Sequence, residues 1–160
     1  MSTPIKLKTI FGPKEDFNVP VIVKNLQGQD VQIDFACKAR TKTEWAPVKK
    51  EIVATRIAKI KEQAEAALKE EKKAKDDDTA QTWKDALKRI KEFEESDAIA
   101  LAGAPNAEQA AIALKIANGW SLDIPMNAEN LAAMEDAYPG SIEALVGGYD
   151  GAVFGAREKN

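Results

Sequence analysis

Histidine is absent from this chain of 160 residues, and that absence decides most of what chemistry it can do. The commonest general base and the commonest metal ligand are both missing. A histidine-activated serine or cysteine nucleophile cannot be assembled, nor can a cysteine–histidine zinc site. The single thiol, Cys37, has no internal disulfide partner, and the lone cysteine points to an intracellular protein. It continues the alternation Val31, Ile33, Phe35, so a buried core side chain is expected rather than a reactive one. Asp76-Asp77-Asp78 is the nearest approach to a metal run, yet it lacks the alternation and the glycine of a calcium loop. A solvated turn before Thr79 is expected there, with its negative charge favourable ahead of a helix N-terminus. Carboxylate or lysine catalysis stays chemically open, but no spacing calls for it, and no glycine-rich phosphate loop follows a strand. The expectation is a protein with no catalytic, cofactor-binding or metal site, and not an enzyme.

What remains is surface chemistry. The net charge of −3 conceals an asymmetry: residues 1–91 carry 20 Lys+Arg against 14 Asp+Glu, and residues 92–160 carry 3 against 12. The two parts are expected to attract each other within one fold or between copies; the other use is a basic part meeting an acidic partner. Nucleic acid is not expected, because the lysines are interleaved with glutamates and no aromatic residues are interspersed to stack bases. No membrane span is expected either: no apolar run is long enough, and Met1-Ser2-Thr3-Pro4 opens no signal peptide. Hydrophobic content of 44% is ordinary for a globular chain and sufficient for one core.

The elements that would carry such surfaces follow from periodicity. Ile5, Leu7, Thr9 and Phe11 alternate up to the breaker pair Gly12-Pro13. Phe17, Val19, Val21 and Val23 alternate again, and Pro20 marks an edge strand or a bulge. Asn25 to Asp30, with Gly28, turns the chain into Val31–Cys37, completing a β-hairpin with one apolar face. Helix takes over near Thr43-Glu44-Trp45-Ala46-Pro47, where Pro47 suits a first turn, and it carries Val48, Ile52, Val53, Ile57, Ile60, Ala64, Ala67 and Leu68 at three- and four-residue steps. Residues 69–78 offer no large apolar group, so that end is expected to project or fray. A second stripe, Trp83, Leu87, Ile90 and Phe93, forms a helical hairpin with the first across the aspartate turn.

After a break at Gly103 and Pro105, Asn106 caps a helix with Ala110, Ala113, Leu114 and Ala117 that ends at Gly119. Asn127 caps another, with Leu131, Met134 and Tyr138, and Pro139-Gly140-Ser141 opens the last, with Ile142, Leu145, Val146, Tyr149, Val153 and Phe154. Gly147, Gly151 and Gly155 recur every fourth residue there. They allow close approach by another segment of this chain or by a partner, unless the helix breaks at Gly147-Gly148. The fold class is therefore α+β, an N-terminal antiparallel β-meander or hairpin followed by a larger helical part. The divisions are a meander over 1–42, a charged helical hairpin over 43–95 and a helical region over 96–160 that joins the meander in one compact unit.

Two stretches carry a family resemblance. Phe17-Asn18-Val19-Pro20-Val21, Gly28, and Ile33-Asp34-Phe35 running into Lys38-Ala39-Arg40-Thr41-Lys42 resemble the opening meander of tail assembly chaperones of long-tailed bacteriophages. Gly119-Trp120, the capped helix, Tyr138-Pro139, Tyr149 and the ending Arg157-Glu158-Lys159-Asn160 are similar to that family's helical close. The resemblance implies a non-enzymatic protein of the infected host's cytoplasm. It implies binding to the tape measure protein, recruitment of tail tube protein, and absence from the finished virion. A structural virion component, such as a minor tail or head–tail joining protein, is the alternative. The candidate partner or homo-oligomer surface comprises Ile52, Ile57 and Ile60 on the long stripe and Ile142, Leu145, Tyr149, Gly151 and Phe154 on the last. Family members of this kind are often made in two lengths by ribosomal frameshifting. Glu158-Lys159-Asn160 can be encoded GAA-AAA-AAC, a slippery run, so a longer form is expected.

Overall fold

A computed structural model of the protein describes residues 14–71, 85, 87, 88, 90–92, 99, 101 and 103–155. The expected strand over Ile5–Phe11, the Asp76-Asp77-Asp78 turn, Trp83, Phe93 and the ending Arg157–Asn160 lie outside them. The architecture is mixed α+β, an antiparallel hairpin with a third strand and then mostly helices.

The hairpin forms where period-two alternation predicts it. Strand β1 (Phe17–Lys24) pairs antiparallel with β2 (Asp30–Cys37), with Val19 opposite Phe35 and Val21 opposite Ile33. Those four side chains and Cys37 are all buried on one face. Asn25 fixes the turn: its side-chain oxygen accepts from the Gln27 and Gln29 amides at 3.0 and 2.9 Å. Gly28 supplies the left-handed residue, at φ 75°. Among the described residues the sheet order is β1-β2-β3, which leaves β1, with Pro20, at an edge.

The third strand is not where alternation would place one. Helix α2 (Asn106–Ile116) passes directly into β3 (Ala117–Trp120), which pairs with the other side of β2 through Phe35–Trp120 and Ala36–Gly119. The expectation that Gly119 ends this helix is therefore corrected. The chain leaving β2 satisfies the last carbonyls instead. Lys38 N–H donates to the Ile116 carbonyl at 2.9 Å. Lys38 Nζ donates to that of Leu114 at 2.9 Å. Arg40 Nη2 donates to that of Lys115 at 2.7 Å. With three orphan acceptors filled, no left-handed glycine is needed. At the other end Pro105, not Asn106, holds the cap position and makes no side-chain cap bond. Its carbonyl receives the Glu108 and Gln109 amides at 2.9 and 3.1 Å, so Asn106 is already helical.

Helix α1 (Lys42–Glu71) begins one residue before the expected start near Thr43, and Pro47 lies inside it rather than in its first turn. Thr41 and Glu44 form a reciprocal capping box. The Thr41 amide donates to Glu44 Oε2 at 2.8 Å, and the Glu44 amide donates to Thr41 Oγ1 at 3.3 Å. Lys14 also bonds the Glu44 carboxylate and, with the Thr41 amide, holds it down at about 2. Asn127 caps α3 (Ala128–Ala137) as expected, accepting from the Asn130 amide at 2.8 Å. Helix α4 (Ser141–Phe154) opens after Gly140, at φ 90°, and runs through Gly147-Gly148 unbroken. The buried Glu135 of α3 reaches its start, accepting from the amides of Gly140 at 2.7 Å and Ile142 at 2.9 Å.

The core lies where the buried face of the sheet meets these helices. It joins Val19, Val21, Ile33 and Phe35 to Ile116, Leu131, Ile142 and Leu145, with Trp45 and Tyr149 at one end. Each such side chain contributes about 1.5–3 kcal/mol on leaving water. Among the described residues of the second stripe, Leu87 and Ile90 are helical; Ile90 is buried and Leu87 is exposed.

Candidate functional site

The end of the core holds an aromatic and ionic junction among β1, the residues after β2, α1 and α4. The Tyr149 ring stacks on Phe17 at 5.7 Å and 13°. It meets Trp45 edge-on at 4.9 Å and 82°. Its hydroxyl accepts from Arg40 Nη1 at 3.1 Å and donates to the Lys38 carbonyl at 2.8 Å. Burial raises the Tyr149 hydroxyl above its usual value, and the Arg40 charge opposes that. Next to it, Asp150 accepts from Trp45 Nε1 at 2.8 Å and from Lys49 at 3.0 Å. Lys49 also lies 5.0 Å from the centroid of Phe154. The junction fixes the direction in which α1 leaves the sheet. Its groups are hydrogen-bonded to one another, and it contains no nucleophile or acid–base pair aimed at a shared point.

A second feature lies between α1 and α2. Glu51, Ile52, Thr55, Arg56 and Lys59 on α1 face Glu108, Ala111, Ile112 and Lys115 on α2 across a half-open cleft of about 250 Å³. The helices run in opposite directions here, because Glu51 pairs with Lys115 at 3.0 Å while Arg56 pairs with Glu108 at 3.2 Å. Lys59 reaches the other oxygen of Glu108 at 3.5 Å. The floor is apolar, with Ile52 and Ile112 buried, and the two ends are charged. These bridges, with Lys49–Asp150, join the basic part of the chain to the acidic part within one molecule. The intramolecular use of the charge asymmetry is therefore realised.

The candidate surface residues divide. Ile52, Ile142, Leu145 and Tyr149 are in the core, because α2 and the sheet cover the faces they occupy. Ile57, Ile60 and Gly151 are half-buried, and Phe154 is 39% exposed. A Cβ at Gly147 would face open space, whereas a Cβ at Gly148 would lie 2.7 Å from Val19 Cγ1. Residues that periodicity misses are exposed on loops and on the outer sheet face: Leu26 at the hairpin tip, Leu122 and Ile124 after β3, and Ile22 on β1. The Trp120 indole holds that last loop through the Ile124 carbonyl at 2.7 Å, and Ser121 fixes it to Asp34 through Oγ at 3.0 Å. Single apolar residues in turns carry no periodic signal, so the sequence does not distinguish them. The Thr41-x-x-Glu44 box is a signal that was available for the start of α1.

Cys37 is buried, and burial pushes its thiol up to about 11, so it is not poised as a nucleophile. Among the described residues no group of three or more acidic or cysteine side chains could hold a metal ion. No described helix is long and apolar enough to cross a membrane. What the geometry defines is a mixed α+β protein with a cleft between α1 and α2 and exposed apolar residues on its loops. The chain belongs to the phage tail assembly chaperone family, whose sequence model matches residues 4–160, and the family is non-enzymatic. No curated protein and no solved structure matches it at a significant level.

Proposed function

We propose that this chaperone binds the tape measure protein in the cytoplasm of the infected host, keeps it soluble and recruits tail tube protein to it, and is absent from the finished virion. The observation that carries the reading is the family match over nearly the whole chain. The physical arrangement agrees with it. A tape measure exposes apolar helical stripes until the tube encloses it, and a small charged protein with apolar recesses can cover them. Several copies along one tape measure would add avidity, and contacts between copies are part of the proposal. Of the candidate surface, Ile57, Ile60, Gly151 and Phe154 are the residues not fully enclosed by the chain itself.

Co-expression tests it. A tape measure fragment encoded beside this gene is expected to stay soluble and to co-purify with the chaperone. Equal solubility of the fragment alone, with no association, refutes the reading, as does recovery of the chaperone in purified virions. A longer frameshifted form is part of the same proposal. The codons for Glu158-Lys159-Asn160 test it, since an unbroken adenine run with an overlapping downstream frame is required.

A further inference from the structure

We infer that the loop after β3 and the exposed face of α3 together form a docking surface for a basic amphipathic helix, which covers Leu122 and Ile124 with its apolar residues and sets lysine or arginine against Asp136. The inference rests on the tape measure reading for the source of that helix, and on this structure for the surface and the chemistry of its occupant.

Charge is the first observation. Residues 116–155 hold six carboxylates and no lysine or arginine. Two of the six are used inside the fold: Glu135 accepts from the Gly140 and Ile142 amides, and Asp150 accepts from Trp45 and Lys49. The other four, Asp123, Glu129, Asp136 and Glu143, are exposed, and among the described residues their side chains make no hydrogen bond or ion pair. Glu129 and Glu143 have an internal reason for their places. They sit in the first turns of α3 and α4, where negative charge is favourable. Asp136 has no such reason. It lies in the last turn of α3, which carries no basic residue, and negative charge is unfavourable at that end of a helix. A cation from outside the chain would relieve it.

The second observation is apolar and lies on the same stretch. Leu122 and Ile124 are 37% and 50% exposed, with Asp123 between them. The loop that presents them is tied at both ends. Ser121 bonds the Asp34 backbone through its amide at 2.9 Å and its hydroxyl at 3.0 Å. Trp120 Nε1 donates to the Ile124 carbonyl at 2.7 Å, and Asn130 Nδ2 donates to the Pro125 carbonyl at 2.8 Å. Two apolar side chains already held in place lower the ordering cost of covering them. The Asn130 bond also makes the loop continuous with α3. There the exposed positions Glu129, Ala133 and Asp136 follow at steps of four and three, so they share one face. Glu129 and Asp136 stand about 10 Å apart along it. The short side chain of Ala133 between them leaves room for a second helix to lie against α3. The pattern sought in the partner is a helical face with large apolar residues at one end and Lys or Arg, seven positions apart, beyond them. An acidic partner would meet repulsion along the same face.

The test uses the full chain and overlapping synthetic peptides, about six turns each, covering the tape measure protein encoded with it, read by fluorescence anisotropy. Wild-type chaperone is expected to bind at least one peptide of the stated pattern, with an affinity that falls as salt is added. Asp136→Lys is expected to weaken that binding about three- to tenfold. The same change should raise the melting temperature by about 1–4 °C, because a cation suits the end of α3. A residue serving only the fold would not move stability and binding in opposite directions. Asp136→Asn should act in the same two directions by less. Leu122→Ala combined with Ile124→Ala is expected to weaken binding about tenfold or more, with circular dichroism establishing that the variant is folded. A peptide whose Lys and Arg are changed to Glu should regain binding to Asp136→Lys. If Asp136→Lys and the double alanine variant are folded and bind as wild type does, this surface is not the site, while the tape measure reading stands. If the alanines weaken binding but Asp136→Lys does not, the basic helix is the wrong occupant. A lower melting temperature for Asp136→Lys would assign Asp136 to the fold and overturn the proposal. If the wild type binds neither the peptides nor the intact tape measure, both the inference and the reading beneath it fall. Association of two copies of the chain, lost in the same variants, would assign the surface to self-association and also overturn the proposal.

Discussion

Gly147 and Gly148 are neighbours in one helix, and replacing each with alanine is expected to change stability in opposite directions. At Gly147 an added Cβ meets nothing within 4 Å. Gly147→Ala should therefore gain close to the full helix-propensity difference, about 1 kcal/mol, which raises the melting temperature by about 2–4 °C in a chain of this size. At Gly148 the same carbon would stand 2.7 Å from Val19 Cγ1. Carbon atoms pack best at about 3.5–4.0 Å, so roughly 1 Å of relief is needed. Val19 cannot give it cheaply. It is β-branched and stiff at χ1, it is buried, and it is held in β1 opposite Phe35. Overpacking of this kind costs about 1–3 kcal/mol. Against the same propensity gain, the net loss for Gly148→Ala should be about 1–2 kcal/mol near the upper end of that range. The two variants should then differ by about 2–3 kcal/mol in urea unfolding followed by circular dichroism. A cycle with Val19→Ala isolates the cause, because shortening Val19 removes the clash and should return at least about 1 kcal/mol of coupling. Equal stabilities for Gly147→Ala and Gly148→Ala, or additivity with Val19→Ala, would refute the close approach of α4 to β1.

Tyr149→Phe keeps both ring contacts and removes the hydroxyl that bonds Arg40 and Lys38; a loss of about 1–3 kcal/mol is expected in thermal or urea melts, and no loss would remove the junction as a structural clamp. The depressed Glu44 and Asp16 carboxyls, held down by Lys14 and by Asn118 respectively, favour the folded state above their ordinary values near 4.5 and 3.8. That stability should be lost as pH falls through about 2 for Glu44, so Glu44→Gln should flatten part of the acid limb of a melting-temperature profile while leaving its neutral limb unchanged in slope. Cys37, buried and pushed up to about 11, should react with a disulfide reagent at neutral pH only as fast as the protein opens, and rapid native-state labelling would contradict its burial.

The hairpin was legible because its information is local. Val19, Val21, Ile33 and Phe35 alternate within a few residues of the Asn25–Gly28 turn, and a register slip would turn them all to water. The Asn127 cap and the Pro139-Gly140 opening of α4 are local in the same way. The start of α1 was equally local: the expectation near Thr43 falls one residue from Lys42, and the Thr41–Glu44 box supplies the cap. Strand β3 was not legible at all. Its four residues carry no alternation, and they are extended because β2 offers an open side to a segment about eighty positions along the chain.

For the candidate surface, the sequence determined which residues share a helical face, since a period of 3.6 aligns Ile142, Leu145 and Tyr149 whatever they touch. It also determined that histidine chemistry is excluded. Only the tertiary structure decided that this face is covered by the chain's own sheet, that Arg40 caps a distant helix and braces Tyr149, and that α1 and α2 leave a charged cleft between them. The physical reason is that an apolar stripe specifies burial but not the partner that provides it. Own chain and foreign chain remove the same area from water, so the choice between them rests on non-local packing.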